Sequence, residues 1–209
     1  MNNTGIIILS ILIPSITKRK HKLDKLLSVL NAQINQVSEH EMLGIVEVVV
    51  DDSPSFLDGG LSIGKKRESL VSKANGKYLC FLDDDESIAP NYIETLLRLC
   101  NFDLDVCTFR SIVKLDSAWG LVNMRLFYKE NDQFSPEYTM RRPPWHICPV
   151  RREFAVLYEF DDINNAEDYN WFEKVLTHCT TEAHTDKILF QYNHGKHSEA
   201  DLITNTKTK

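Results

Sequence analysis

The sequence lacks three features that would place it in a specialised class of protein. It has no excess of positive charge: 30 acidic and 24 basic residues give a net charge of −6, which argues against a general nucleic-acid binder. Its five cysteines are an odd number without a Cys-x-x-Cys spacing, so no disulfide framework or zinc site is indicated. The apolar run at residues 5–14 is too short to cross a bilayer and, unlike a signal peptide, has no basic residues before it. We expect one domain of ordinary composition in a reducing, cytoplasmic compartment.

Apolar periodicity alternates between strand-like and helix-like patterns along the chain. The strand-like runs are residues 6–13, 45–50, 78–82 and 106–115, of which the first two are expected to be buried strands. The helix-like stripes are residues 23–37, 63–74 and 90–100. Asn75-Gly76 is expected to cap the second helix, and Pro90 is expected at the first position of the third. This alternation predicts an α/β fold with a doubly wound, mainly parallel mixed sheet.

Polar residues follow each of the first three predicted strands. The first strand ends in Pro14, Ser15 and Thr17, the second in Asp51 and Asp52, and the third in Asp83, Asp84 and Asp85. Ligands of such sheets bind beyond the carboxyl ends of the strands, so these three clusters are expected to converge on one site.

The three carboxylates after the third strand indicate a cation. An Asp-x-Asp pair holding Mg²⁺ or Mn²⁺ leaves coordination positions for water and phosphate oxygens, which suggests a diphosphate substrate. A calcium loop fits less well, because Ile88 stands where that loop needs glycine. A phosphohydrolase of the haloacid-dehalogenase type stays as an alternative, with Asp83 as nucleophile and Asp85 as acid/base, although two β–α units precede its strand.

These residues resemble the family-two, inverting glycosyltransferases of the GT-A fold. The matching motifs are Ile11-Leu12-Ile13-Pro14, Val49-Val50-Asp51-Asp52-Ser53, Gly64-Lys65-Lys66-Arg67 through Gly76-Lys77-Tyr78, Phe81-Leu82-Asp83-Asp84-Asp85 and Glu167-Asp168. Their order along residues 6–195 is the specific signal, since each motif alone is weak. Glu68 departs from the pattern, because the family commonly has Asn after the arginine.

The resemblance implies a role for each strand-end cluster. Pro14, Ser15 and Thr17 would line the nucleotide pocket, with Asp51 and Asp52 accepting from the base and Arg67 lying by the nucleotide. Asp83 and Asp84 would contact the donor. Asp85, with Asp83 and His194, would hold Mn²⁺ or Mg²⁺. The implied donor is a nucleotide sugar, with uridine the expected base.

The resemblance also implies that Asp168, with Glu167 beside it, is the catalytic base. Both residues begin a predicted helix, so they could instead only complement its dipole. Asp161-Asp162 is a rival pair in a predicted turn. His197 is a second candidate beside His194, and the basic residues Arg141, Arg142, Arg151 and Arg152 could bind an anion or form a solvated surface.

The expected organisation is one GT-A domain at residues 1–195, followed by a flexible tail or lid at 196–209. Residues 1–115 would form the nucleotide-binding half and residues 116–195 the acceptor side. A saccharide, a glycolipid, a protein and a modified DNA base all stay open as acceptors. A non-catalytic module that binds nucleotide sugars or carbohydrates is a further alternative.

Overall fold

The computed structural model describes residues 6–38, 44–115, 118–129 and 140–193. The strands are β1 Ile7–Pro14, β2 Ile45–Asp51, β3 Tyr78–Phe81, β4 Ser87–Ile88, β5 Val106–Leu115, β6 Ala118–Met124, β7 Met140–Arg142, β8 Val150–Arg151 and β9 Glu182–Asn193. The helices are α1 Lys20–Ser38, α2 Ile63–Lys73, α3 Tyr92–Cys100, α4 Arg152–Ala155 and α5 Glu167–Leu176. Short 3-10 turns occupy Thr17–Arg19 and Phe56–Asp58.

The strands form one nine-stranded mixed sheet, which confirms the predicted α/β fold. Seven strands follow the order β2-β1-β3-β8-β5-β6-β7, while β9 pairs with both β4 and β5. On the β1 side the pairing is parallel, and Pro14 pairs with Asp51 while Leu12 pairs with Phe81. This register brings the carboxyl ends of β1, β2 and β3 to the same edge of the sheet, as the sequence predicts.

The hydrophobic core accounts for the periodic stripes in the sequence. Leu9, Ile11 and Leu12 of β1 are fully buried, as expected of a strand covered on both faces. The stripe of α3 is buried too, including Ile93 and Leu96. No helix among the described residues is both long and apolar enough to cross a membrane.

Three local expectations are wrong in detail. β2 is an edge strand whose residues are half-buried or exposed, not a second fully buried strand. α3 begins at Tyr92 with Asn91 as its N-cap, so Pro90 lies before the first helical position. α2 ends at Lys73 with Ala74 as its C-cap, so Gly76 does not cap the helix. Gly76 instead lies close to β1: a Cβ there would lie 2.5 Å from the Ser10 hydroxyl oxygen and 2.6 Å from the Ser10 nitrogen.

A buried glutamine completes the start of α3. The Asn91 side chain makes no capping hydrogen bond. Instead, Gln33 of α1 accepts from the Ile93 backbone N–H at 3.1 Å and donates to the Ala89 carbonyl at 2.9 Å. One amide of α1 therefore satisfies a backbone donor and an acceptor at the turn that follows the carboxylate cluster.

We expect Gln33→Leu to destabilise the protein by about 1–3 kcal/mol, because it leaves the buried Ile93 N–H without a partner, whereas the Ala89 carbonyl still accepts from the Tyr92 N–H. Urea unfolding measures the change. Gln36→Leu on the exposed side of the same helix is the matched control and should change stability little. Equal unfolding midpoints for the two variants would contradict the capping role.

Candidate active site

Ser15, Asp51 and Lys66 form the floor of the first strand-end cluster. The Ser15 backbone N–H donates to the Asp51 carbonyl at 2.7 Å, which continues the β1–β2 pairing beyond the strands. The buried Lys66 ammonium donates to the carbonyls of Ser15 at 2.7 Å and Ser53 at 2.6 Å. Lys66, on the second turn of α2, therefore ties the two strand-end loops together.

Asp51 is largely buried within this cluster, whereas Asp52 and Thr17 are exposed. One carboxylate oxygen of Asp51 accepts from the Ser53 hydroxyl at 2.6 Å and from its backbone N–H at 3.1 Å. The Thr17 hydroxyl donates to the Asp52 carbonyl at 3.0 Å. Pro14 is buried at the end of β1. The predicted nucleotide-contacting residues therefore share one edge, with Asp51 held in a fixed orientation.

The three carboxylates after β3 differ in exposure and in partners. Asp84 is buried, accepts from the Ser15 hydroxyl at 2.5 Å and is ion-paired with Arg19. Asp85 is about a third exposed and lies 2.6 Å from Arg19 and 3.4 Å from Lys22. Burial raises the pKa of Asp84, while the Ser15 hydrogen bond and the Arg19 charge oppose that rise.

Arg19 and Lys22 are basic residues at the amino-terminal end of α1, where the helix dipole disfavours positive charge. Burial disfavours the charged form of Arg19, but Asp84 and Asp85 outweigh it and raise its pKa above the usual value. The negative charge of the carboxylate cluster and the positive charge at the start of α1 therefore compensate each other.

The carboxylates suit a hard divalent cation in chemistry, since Asp83 and Asp85 present partly exposed oxygen atoms. Within the described ranges, no group of three or more His, Cys, Asp or Glu side chains is arranged to hold a metal ion. His194 and His197 lie outside the described residues, as does the 196–209 tail. Asp83 and Asp85 are therefore the candidate ligands among the described residues, and the role of His194 as a further ligand stays a prediction.

Arg67 of α2 bridges the carboxylates of two distant motifs. Its Nε donates to Glu167 at 3.0 Å and its Nη2 donates to Asp83 at 3.0 Å, while the guanidinium lies 4.7 Å from the centre of the Phe81 ring. Burial disfavours the charged form, but Asp83, Glu167 and Asp168 together raise the Arg67 pKa. Arg67 is thus a buried link between the carboxylate cluster and α5. The sequence predicted this arginine only as a neighbour of the nucleotide.

Glu167 and Asp168 begin α5 and differ in environment. Glu167 is buried, and burial raises its pKa despite the Arg67 charge. Asp168 is 19% exposed, and its Oδ2 lies 2.7 Å from Nδ1 of His146, which is 4% exposed. Burial opposes ionisation of Asp168, but His146 and Arg67 hold its pKa well below the usual range. Of the two, Asp168 is the more easily ionised and the more exposed to an incoming ligand.

The backbone before α5 turns sharply to present this pair. Ala166 has φ = +64°, a left-handed conformation that costs a residue with a Cβ about 1–2 kcal/mol. The loop before it is seated on the start of α2, where Asn164 accepts from the Ile63 backbone N–H at 3.0 Å. Strained backbone of this kind concentrates at functional sites.

The rival pair Asp161-Asp162 has structural partners instead. Asp162 accepts from the hydroxyl of Ser62, the N-cap residue of α2, at 2.5 Å. Asp161 accepts from the Asn170 amide at 2.8 Å. Both carboxylates therefore support the junction between α2 and α5.

A cleft runs between α5 and the segment after β7. It is lined by Arg142, Pro143, Pro144, Trp145, Tyr169, Phe172, Glu173 and Leu176. The Arg142 guanidinium lies 4.3 Å from the centre of the Trp145 ring, and the Tyr169 hydroxyl donates to Glu173 at 2.7 Å. Trp171, by contrast, is buried in the core against Phe160, with its ring centre 4.5 Å away.

The basic residues predicted as possible anion ligands lie in two different environments. Arg142 lines the cleft, whereas Arg151 pairs with Asp103 at 2.6 Å and Arg152 donates to the Ala74 carbonyl at 2.7 Å. Arg151 and Arg152 therefore join the β3–β8 region to its neighbours.

Comparison with known proteins identifies the family. Residues 56–158, just under half of the chain, match the family described as glycosyl transferase family 2. This segment belongs to glycosyl transferase family 2, and the chain has a GT-A fold. The matched segment contains Arg67 and the carboxylates after β3, whereas Asp51 and Asp168 lie outside it. No curated protein matches the sequence.

Solved structures support the fold assignment. The chain is similar to S. aureus TarS residues 1–349, with 14% identity over 90% of this chain and 60% of that chain and a TM-score of 0.59. The same TarS fragment in complex with UDP-GlcNAc gives 14% identity over 92% of this chain and 60% of that chain, with a TM-score of 0.61. The chain therefore spans less than two thirds of the length of the TarS fragment that it matches.

Four residues of this family 2 site were not among the predicted ones. Arg19 and Lys22 belong to the basic run that follows the first strand in the sequence. Lys66 precedes the predicted arginine, and His146 lies between the basic pairs Arg141-Arg142 and Arg151-Arg152. The number of carboxylates in the sequence could have predicted these basic residues, because many acidic groups at one sheet edge require cations nearby.

We expect Arg67→Met to destabilise the protein by about 3–5 kcal/mol, because it leaves Glu167 as a buried charge without its partner. Lys65→Met is the matched control, since the neighbouring Lys65 makes a partly exposed pair with Glu68 within the same helix. Urea unfolding compares the two variants.

Adding Glu167→Gln to Arg67→Met should restore part of the lost stability, because the glutamine carries no charge. If Arg67→Met unfolds at the same urea concentration as Lys65→Met, the bridge does not stabilise the fold.

Proposed function

We propose that this protein transfers a sugar from a UDP-sugar to an acceptor hydroxyl, in a metal-assisted reaction that inverts the anomeric carbon. One observation carries the proposal: Arg67 brings Asp83, from the cluster after β3, and the Glu167-Asp168 pair around a single guanidinium. A site for a leaving diphosphate and a candidate base therefore adjoin each other. The TarS fragment that shares the fold was crystallised with UDP-GlcNAc and with UDP, which makes a UDP-sugar the first donor to test.

The nucleotide would bind at the ends of β1 and β2. Asp51 is oriented by Ser53 and held near Lys66, 3.8 Å away, so it can accept from the base without reorganising. Pro14, Ser15 and Thr17 would form the adjacent wall, and the exposed Asp52 would contact the nucleoside at the rim.

The diphosphate would lie over the carboxylates after β3. Asp85 and Asp83 would hold Mn²⁺ or Mg²⁺, which supplies a Lewis acid for the developing negative charge. Asp85 would then exchange its ion pairs with Arg19 and Lys22 for the metal, releasing two cations toward the phosphates. Arg67 has a buried Nη1 with no hydrogen-bond partner among the described residues, and we assign that nitrogen to the donor.

The chemical step would be a direct displacement. The acceptor oxygen forms the new bond to the anomeric carbon, the bond from that carbon to the diphosphate breaks, and its electron pair leaves with the diphosphate. The hydroxyl proton passes to the Asp168 carboxylate. We place the acceptor's approach in the cleft between α5 and residues 142–145, whose aromatic and proline side chains suit the apolar faces of a sugar ring.

The phosphohydrolase alternative lacks structural support. It requires Asp83 as a nucleophile, but that carboxylate is bound to the Arg67 guanidinium, which lowers its electron density toward an electrophile. The family match also favours a glycosyltransferase over a hydrolase.

We expect Mn²⁺ to strengthen UDP binding and Asp85→Ala to abolish that increase while leaving the fold intact. Calorimetric titration of UDP, with Mn²⁺ and with EDTA, measures the effect for both proteins. Asp58→Ala, which removes an exposed carboxylate paired with Lys18, is the control. Wild-type affinity that is the same in EDTA would show that Arg19 and Lys22 hold the diphosphate without a metal.

We expect Asp168→Asn to lower the rate of UDP release from UDP-GlcNAc by about 10²- to 10⁴-fold, because the amide cannot accept a proton. Affinity for UDP should stay near the wild-type value. Single-turnover measurements with saturating Mn²⁺ report the rate, with Asp161→Asn as the control at the rival position. Near wild-type turnover in Asp168→Asn would move the base elsewhere, and loss of UDP affinity would place Asp168 in the donor site.

A further inference from the structure

His146 is held rigidly beside the strand that carries the carboxylate cluster. Its carbonyl accepts from the Phe81 backbone N–H at 2.9 Å, which extends the pairing along β3 toward Asp83. Its ring packs edge-on against Phe81 and Trp145, with centre-to-centre distances of 6.3 Å and 5.2 Å. Backbone and ring are both fixed, so the imidazole cannot swing away without disturbing the core.

The one polar contact that this fixed ring makes to a charged group is with Asp168, among the residues that the structure describes. His146 Nδ1 lies 2.7 Å from Asp168 Oδ2, within ion-pair distance although its N–H is not aligned with that oxygen as a hydrogen bond, and the second Asp168 oxygen accepts from the Tyr169 backbone N–H at 2.8 Å. The close imidazole on one oxygen and the backbone donor on the other restrict the orientation of the carboxylate. A carboxylate that must accept a proton from a bound hydroxyl gains rate from such preorganisation.

We propose that His146 is the positioning residue of the transfer reaction: its protonated Nδ1, in contact with Asp168, holds that carboxylate toward the acceptor hydroxyl. This inference rests on the proposed function. The proton of the hydroxyl goes to Asp168, and His146 keeps its own proton throughout. His146 therefore acts on catalysis through Asp168 and contacts no substrate.

The same contact is also compatible with the opposite assignment, in which Asp168 orients His146 and His146 is the base. In hydrolytic triads a carboxylate orients a histidine through Nδ1, and Nε2 of that histidine takes the proton. Exposure decides between the two here, because the Asp168 side chain is 19% exposed and the His146 side chain only 4%. The carboxylate faces the open site, and the imidazole lies behind it.

Three substitutions of His146 separate these roles. Asparagine places an amide N–H where Nδ1 lies, glutamine moves it away from Asp168, and leucine removes the donor. We expect His146→Leu and His146→Gln to lower kcat for UDP release from UDP-GlcNAc by about 10²-fold with an unchanged KM, the cost of a misplaced catalytic group. His146→Asn should regain most of the lost kcat.

His178→Leu is the matched control, since His178 is an exposed histidine bonded to the Tyr158 hydroxyl at 2.9 Å, and its kcat should not change. An asparagine variant as inactive as the leucine variant would overturn the positioning role and make His146 the base. A leucine variant with wild-type kcat would overturn any catalytic role. If the leucine variant does not fold, the asparagine and glutamine variants decide the matter, since they differ only in reach.

Nuclear magnetic resonance of the imidazole provides a readout that needs no turnover. Proton–nitrogen correlation spectra should show His146 protonated at Nδ1 in the wild type, with a changed Nδ1 shift in Asp168→Asn. An unprotonated Nδ1 would overturn the inference while leaving the proposed function standing. A protonated Nδ1 in an enzyme that releases no UDP from UDP-GlcNAc or other UDP-sugars would instead overturn the proposed function, and the positioning role with it.

Discussion

The buried guanidinium of Arg67 is the contact on which the arrangement of the site depends. It spans Asp83 after β3 and Glu167 at the start of α5, with bonds of 3.0 Å to each. Each carboxylate alone would be costly to bury or unconstrained in orientation, and the shared cation removes both problems. Because Asp168 follows Glu167 directly, the same contact sets where the candidate base stands relative to the carboxylate cluster. One residue of α2 therefore positions both the carboxylate expected to bind the donor and the candidate catalytic base.

Other basic residues of the site also stabilise its loops and carboxylates. Lys66 holds the loops after β1 and β2 through two backbone carbonyls, and Arg19 covers Asp84 and Asp85. Among the carboxylates of the edge, Asp51, Asp83, Asp84 and Asp85 each lie beside a basic side chain. A nucleotide diphosphate with a divalent ion brings charges of both signs, so it can exchange with these pairs without leaving a buried charge uncompensated.

Local patterns predicted the framework well where a segment's own periodicity decides its structure. The runs at β1, β3 and β5 and the stripes of α1 and α2 lie where the apolar periods place them. Errors arose where neighbours decide: β2 reads as a buried strand, but its position at the sheet edge leaves it half exposed. Gly76 resembles a helix cap in sequence, yet its lack of a Cβ is required by Ser10 of the adjacent strand. The roles assigned to Asp51, Asp85 and Asp168 remain predictions.

The sequence by itself determined the alternation of strands and helices, the family and the set of carboxylates at the sheet edge, because parallel strands place their carboxyl ends together whatever their neighbours. Only the tertiary structure decided which cation meets which carboxylate. Arg67 and Glu167 are 100 residues apart, and Ser15 and Asp84 are 69 residues apart, so no local period relates them. The contact of His146 with Asp168 belongs to the same class. Such pairs form because a buried charge must find a partner within a few ångströms in the folded state, a constraint that the linear order of residues does not express.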